Sequence, residues 1–159
     1  MENKTNVMRI LDGKKIEYIP HFYPHGDDIP TDGITIANFL QKNTDTVYKT
    51  LVTQAASKAY YVFVIPVDKH LDLKKAAKSV KEKSIEMIKQ DNLLPLTGYI
   101  HGGCSPIGMK KRFKTTFHNA VLNLETVTLS AGRVGAQIEI DPATLIKFVG
   151  GQTADIISD

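Results

Sequence analysis

The stretches VYKTLVT (residues 47–53) and AYYVFVIPV (residues 59–67) carry the strongest structural signal in this chain. Both are dense in β-branched and aromatic residues, which fit the pleated surface of a strand. The short segment Gln54–Lys58 separates them. This arrangement predicts an antiparallel hairpin, and its apolar character predicts that both strands lie in the interior of a sheet.

A second hairpin is predicted nearer the C-terminus. Val127–Leu129 and Ala136–Ile140 are strand-like, and the segment between them, Ser130–Gly135, contains glycines that permit the positive φ angles of a tight turn. Hairpins therefore outnumber clear βαβ crossovers. We predict a mixed α/β fold with a mostly antiparallel, barrel-like sheet and helices packed outside it.

Helix signals flank the predicted strands. Helices are predicted at Met8–Leu11, after the caps Thr31-Asp32 and Asp72, at Ser84–Gln90, and from Asp141-Pro142 to Gly150. A strand at Ile16–Pro20 leads into a long connection, His21–Gly33. Loops of this length in a compact domain often cover a functional site.

Composition bounds the class of protein. The 159 residues predict one domain spanning residues 1–159, and 42% hydrophobic with 23% charged residues is typical of a soluble globular protein. The sequence lacks the run of roughly 20 apolar residues that would span a membrane. One cysteine, Cys104, cannot form an internal disulfide and fits a reducing cytoplasm. The net charge is only +3, yet lysines cluster at 69–89 and 110–114, which makes nucleic acid a candidate partner.

The segment Gly98–Gly108 contains four glycines and one proline. Such a loop turns sharply and can point several N–H groups at one acceptor. An ordinary tight turn between strands has the same composition, so both interpretations stay open. The cations Lys110, Lys111 and Arg112 follow directly, with Lys114 after them, and they favour a site visited by phosphate.

Lys49 is the second candidate for chemistry. It interrupts a strand of burial-prone residues, and alternation places it on the face opposite Tyr48 and Thr50. On an exposed face it would be an ordinary surface lysine. In a cleft it would offer three N–H donors and a positive charge to an anionic or carbonyl oxygen.

Other chemistries have weaker support. The five histidines form no convincing ligand pattern, and one thiol is too few for a structural zinc site, so no metal and no cofactor is expected. Cys104 lies three residues from His101, but no third group is placed to hold a base against it, which favours a small packing residue over a nucleophile. The glycine loop also lacks the Lys-Ser/Thr ending of a nucleotide P-loop.

Together these segments resemble the YbaK/EbsC family of aminoacyl-tRNA deacylases, relatives of the editing domain inserted in bacterial prolyl-tRNA synthetases. The resemblance runs through the segments His21–Tyr23, Val47–Leu51, Leu71–Lys75, Thr97–Arg112, Ser130–Gly132 and Gln137–Ile140. It implies removal of a misattached amino acid from tRNA, typically cysteine from proline tRNA, with prolyl-tRNA synthetase as a possible partner. The thiol of the substrate's own cysteine would attack its ester carbonyl.

The resemblance also assigns residues to roles. Lys49 would hold the terminal ribose or phosphate of the acceptor end, and the N–H groups of Gly102 and Gly103 would bind the substrate carbonyl. The remaining assignments are substrate-binding Tyr23, Thr50, Pro106, Ser130 and Gln137, and tRNA-binding Lys110, Lys111 and Arg112.

One position departs from the proteobacterial pattern, because Gln137 stands where an aspartate is usual. The amide keeps hydrogen bonding but loses the ionic attraction, which leaves the amino-acid preference open. A second function class also stays open, namely a non-catalytic module that binds tRNA or a synthetase.

Overall fold

The computed structural model describes residues 3–158. Within them the strands are β1 (Ile19–Phe22), β2 (Tyr48–Ala55), β3 (Tyr60–Pro66), β4 (Ile85–Met87), β5 (Lys114–His118), β6 (Val127–Arg133), β7 (Ala136–Ile140) and β8 (Gln152–Ala154). The helices are α1 (Asn6–Gly13), α2 (Gly33–Phe39), α3 (Leu73–Ser79), α4 (Leu93–Thr97) and α5 (Pro142–Val149), with 3-10 turns at Thr44–Thr46, Gln90–Asn92 and Asn119–Asn123.

The larger sheet has five strands in the order β4-β2-β3-β5-β8. The predicted hairpin is confirmed, because β2 and β3 pair antiparallel without a break from Tyr48 opposite Pro66 to Gln54 opposite Tyr60. Both strands are interior, as predicted, although β4 covers only the last three residues of β2. The β3–β5 and β5–β8 pairs are parallel, and neither β5 nor β8 was predicted from the sequence.

The smaller sheet has three antiparallel strands in the order β1-β7-β6. Its β6–β7 hairpin confirms the second prediction and contains a bulge between Ser130 and Arg133. A single-residue bridge between Val47 and Thr128 joins the two sheets side by side. The mixed, mostly antiparallel fold is therefore confirmed, and the barrel-like sheet is not closed.

The core fills the space between the two sheets. Val52, Val62 and Val64 of the larger sheet belong to one buried cluster with Leu129 and Ile138 of the smaller sheet. Helix α3 packs Ala76 and Ala77 into a separate cluster with Phe63 and Ile65. Since adjacent residues of β3 alternate between the two clusters, the larger sheet is buried on both faces and α3 covers its outer face.

Most predicted helix boundaries are confirmed by their caps. The side chains of Asp32, Asp72 and Asp141 each accept a backbone N–H of the first helical turn, and Gly150 ends α5 in the left-handed conformation. The predicted helix at Ser84–Gln90 is wrong. Residues 85–87 form β4 instead, because the edge of β2 is available for pairing there.

Candidate active site

A cavity of about 340 Å³ lies where β2 and β6 separate beyond the Val47–Thr128 bridge. Strand β2 contributes four consecutive residues, Tyr48 to Leu51, to its lining. Consecutive residues of a strand point to opposite faces, so all four can line one cavity only if it lies against the strand's edge. This explains how Lys49 and Thr50, on opposite faces, reach the same site.

Lys49 is half-buried in this cavity. Its ammonium makes no hydrogen bond or ion pair with any residue among 3–158, and burial lowers its pKa below the usual lysine range while nearby Asp68 acts in the opposite direction. A partly desolvated cation without a partner favours any anionic or carbonyl oxygen that enters. The interpretation of Lys49 as an exposed surface lysine is therefore excluded.

The glycine loop is held in shape by its own hydrogen bonds. The hydroxyl of Tyr99 donates to the Ile107 carbonyl, and Ser105 Oγ accepts the Ile107 N–H at 3.1 Å. Thr97 Oγ1 accepts the Tyr99 N–H at 3.0 Å and donates to the Leu93 carbonyl at 2.8 Å. Each contact closes a short span of chain, which fixes the backbone that faces the cavity.

The two central glycines of this loop have different roles. Gly102 lines the cavity at φ +86°, and its N–H has no hydrogen-bond partner within the described chain. The N–H of Gly103 donates to the Ile100 carbonyl at 3.0 Å. A Cβ on Gly103 would lie 3.0 Å from Arg133 Cα and 3.1 Å from Val134 N, so glycine is needed for packing against the β6–β7 turn.

The wall opposite β2 contains Ser130 and Gln137. These residues are paired across β6 and β7 and are almost fully buried. Ser130 Oγ accepts the Gly132 N–H at 3.2 Å, whereas Gln137 Oε1 has no partner among residues 3–158. Burial raises the pKa of the nearby Tyr23 hydroxyl, and the main chain of Gly135 and the side chain of Gln137 act more weakly in the opposite direction. Tyr23 stands behind Gln137 rather than in the lining of the cavity.

Further buried polar atoms accompany Gln137 Oε1. The hydroxyl oxygens of Tyr23, Tyr48 and Thr50 also lack hydrogen-bond partners in the described residues. An unsatisfied buried polar group costs about 1–3 kcal/mol. Three of the four atoms, those of Tyr48, Thr50 and Gln137, belong to residues that line the cavity.

Cys104 touches the cavity but is 8% exposed and belongs to the main core cluster. Burial raises the pKa of its thiol to about 12. The thiolate is the nucleophilic form, so at neutral pH this side chain is an inert, protonated packing residue. This agrees with the interpretation favoured by the sequence.

The remaining predicted residues lie elsewhere. Pro106, Lys111 and Arg112 line a second cavity of about 230 Å³ and do not join Lys49. Lys111 and Arg112 are exposed and make no ion pair within the described chain. Lys110 Nζ lies 3.5 Å from the Pro95 carbonyl.

Several residues that line the cavity were not predicted as site residues from the sequence. Helix α2 contributes its cap, Asp32, and its first turn, while His101 and Leu93 line the opposite side. Asp32 is the acidic residue in this lining, and its carboxylate accepts both the N–H and the hydroxyl of Thr35. Asp32 was recognised only as a cap, and Leu93 has no signal beyond hydrophobicity.

Two kinds of feature are absent from residues 3–158. Three or more His, Cys, Asp or Glu side chains do not come together there in a metal-binding group. In that same range, helices that are both long and apolar enough to cross a membrane are absent.

The chain is similar to known proteins over nearly its whole length. Residues 34–148 match the model of the aminoacyl-tRNA editing domain. The chain is 37% identical over 155 residues to the proposed Cys-tRNA(Pro)/Cys-tRNA(Cys) deacylase EbsC of Enterococcus faecalis, covering 98% of this chain and 94% of that protein.

Solved structures share the fold at lower identity. A proposed trans-editing enzyme for prolyl-tRNA synthetase superposes with a TM-score of 0.82 at 20% identity, covering 99% of this chain and all of the other. The hypothetical protein APE2540 superposes with a TM-score of 0.86 at 20% identity, covering 96% and 99%. The resemblance noted in the sequence is confirmed, and the chain belongs to the family of aminoacyl-tRNA editing domains.

Proposed function

We propose that this protein is a trans-editing deacylase that removes cysteine misattached to proline tRNA. Enzymes of its family cleave aminoacyl-tRNA, and the cysteine and proline specificity is transferred here from the 37% identical relative. The observation that carries the proposal is the cavity itself, because its lining includes both Lys49, whose ammonium has no partner among residues 3–158, and Gly102, whose N–H is unbonded in that range.

The reaction proceeds by attack from the substrate. The sulfur of the cysteinyl group bonds to its own ester carbonyl carbon, the C–O bond to the ribose breaks, and the ribose oxygen leaves with a proton as the free tRNA hydroxyl. Water then opens the resulting cyclic thioester to give cysteine. A protein nucleophile is unnecessary, which is consistent with the buried, protonated Cys104.

The protein contributes positioning and electrostatics. Lys49 binds the terminal ribose or phosphate, and the Gly102 N–H donates to the carbonyl oxygen as negative charge develops on it. The N–H of Gly103 does not share this role, because it already donates to the Ile100 carbonyl. Ser130, Gln137 and Thr50 form the polar wall that surrounds the aminoacyl group.

The tRNA body would lie along the basic segment Lys110–Arg112. Phosphate contacts of this kind make binding depend on salt concentration, and each lost contact reduces that dependence. Lys111→Ala and Arg112→Ala should therefore raise KM and flatten the salt dependence with little change in kcat. Prolyl-tRNA synthetase is the proposed partner, and the cytoplasm is the proposed location.

The decisive experiment measures release of cysteine from cysteinyl-tRNA(Pro) in single-turnover reactions, with and without prolyl-tRNA synthetase. Correctly charged prolyl-tRNA(Pro) is the matched control. We expect rapid release of cysteine and slow release of proline. Stable cysteinyl-tRNA in both reactions, together with measurable binding, would instead identify a non-catalytic tRNA-binding module.

A further inference from the structure

The direction of the peptide groups along β2 follows from its hydrogen bonds. Val67 N–H donates to the Val47 carbonyl at 2.8 Å, and Ala55 N–H donates to the Ala59 carbonyl at 2.9 Å. The register between these points is unbroken, so odd-numbered residues of β2 bond to β3. Even-numbered residues point their N–H and C=O groups away from β3, as the bond from Ile88 N–H to the Val52 carbonyl shows.

This alternation of odd- and even-numbered residues leaves part of the β2 edge unpaired inside the cavity. Strand β4 pairs with residues 53–55, and the Val47–Thr128 bridge lies at the other end. Between them, the register directs both the N–H and the C=O of Thr50 to the open side, where β2 has no ladder partner and where no turn or loop residue among 3–158 bonds to either group. Thr50 lines the cavity, and its N–H and C=O groups point away from β3, so we place the substrate against them.

We propose that the open edge of β2 at Thr50 is a main-chain recognition site for the aminoacyl group, which binds there as a one-residue antiparallel strand. This rests on the proposed function. The substrate's α-ammonium donates to the Thr50 carbonyl, and its ester carbonyl accepts the Thr50 N–H. These are the two bonds of a closely spaced antiparallel pair.

The α-ammonium of the substrate needs hydrogen-bond acceptors. The carboxylate of Asp32 accepts one bond from Thr35 on each oxygen and keeps further acceptor capacity, and the Gln137 side chain is neutral. The Thr50 carbonyl supplies an acceptor without adding a charge. Directly opposed residues of a strand pair project their side chains to the same face. The substrate side chain therefore lies beside Thr50 Oγ1, which is buried and unpartnered.

The first arm of the test changes the ligand. The probe is adenosine carrying cysteine through a hydrolysis-resistant 3′-amide, and the comparison is the same molecule without the α-amino group, which keeps the thiol. We expect the deamino probe to bind the wild-type protein at least tenfold more weakly. The D-cysteinyl probe should also bind more weakly, because its side chain points to the wrong face.

The second arm changes the main chain. Replacing Thr50 by the corresponding α-hydroxy acid changes the Lys49–Thr50 amide into an ester. The change removes the Thr50 N–H, and it also makes the Lys49 carbonyl, which bonds to β3, a weaker hydrogen-bond acceptor. The matched control is the same replacement at Met87 of β4. Met87 is exposed and its N–H points away from β2, while the carbonyl of the preceding Glu86 bonds to β2, so the control repeats the loss of acceptor strength. We expect about a tenfold loss of binding and turnover at position 50, and no loss at position 87.

The outcomes separate this inference from the proposed function. Wild-type turnover of cysteinyl-tRNA with equal binding of the cysteinyl and deamino probes would overturn main-chain recognition alone. Absent turnover with a clear preference for the cysteinyl probe would overturn the deacylase and retain the recognition site. Equal losses at positions 50 and 87 would assign the effect to the fold and refute the inference.

Discussion

Replacing Lys49 by methionine should abolish most of the deacylase activity without weakening the fold. Methionine keeps the length and apolar stem of the side chain but removes the ammonium. Because Lys49 is half-buried and unpartnered, its charge is available to the substrate and contributes no ion pair to folding. Loss of one such contact in a site from which water is excluded typically lowers the rate about 100- to 1000-fold, or ~2.7–4 kcal/mol.

The Lys49→Met variant should lose activity but should not lose stability. Burial lowers the pKa of Lys49 in the folded protein, so the unfolded chain binds its proton more tightly. The free energy of unfolding therefore rises with pH between the pKa of Lys49 in the folded protein and its pKa in the unfolded chain. Below that range the buried, charged ammonium destabilises the fold. Removing the charge should leave the free energy of unfolding at pH 7 unchanged or higher.

The assay follows single-turnover deacylation of cysteinyl-tRNA(Pro), after subtraction of spontaneous hydrolysis, together with urea unfolding. Lys49→Arg keeps the charge and should retain part of the activity. In the wild type, activity should fall at alkaline pH with a midpoint below the usual lysine value, and Lys49→Arg should lack this fall. A Lys49→Met rate within threefold of wild type would refute the assignment.

The other predictions concern the loop and the smaller sheet. Cys104→Ala should deacylate cysteinyl-tRNA within about tenfold of wild type, a barrier change below roughly 1.4 kcal/mol, and a folded but inactive variant would return the nucleophile to the protein. Gly103→Ala should lower the free energy of unfolding by about 1–3 kcal/mol in urea titrations, since its Cβ would crowd the backbone at Arg133; an unchanged midpoint would contradict this. Glu139, whose pKa is lowered to about 2 by the hydrogen bonds of Lys42, Thr126 and His21 against the opposing effect of burial, should stabilise the protein above pH ~4.3 and lose that effect as pH falls towards 2. Glu139→Gln should therefore flatten the acid limb of stability, and an identical pH profile would disprove the network's contribution.

Local sequence determined the strands and helices whose signals are complete within a few residues. The β2–β3 and β6–β7 hairpins follow from two apolar runs around a short polar turn, and α2, α3 and α5 follow from an aspartate cap before an apolar face. The glycine loop and Lys49 were likewise identified from composition, because glycine clusters and a lysine in an apolar strand are locally improbable. The family resemblance then assigned both to one site.

Pairing between distant segments decided the rest. Residues 85–87 became a strand because β2 offered a free edge. Strand β5 formed because β3 accepts a parallel neighbour 53 residues later in the chain, with Tyr61 opposite Lys114, and β8 then pairs with β5. Alternation placed Lys49 and Thr50 on opposite faces, and only the open β2 edge beside β6 brings both into one cavity. The glycine loop shows the same dependence. The N–H of Gly103 donates to the Ile100 carbonyl whereas that of Gly102 is free, and no local sequence pattern distinguishes the two glycines.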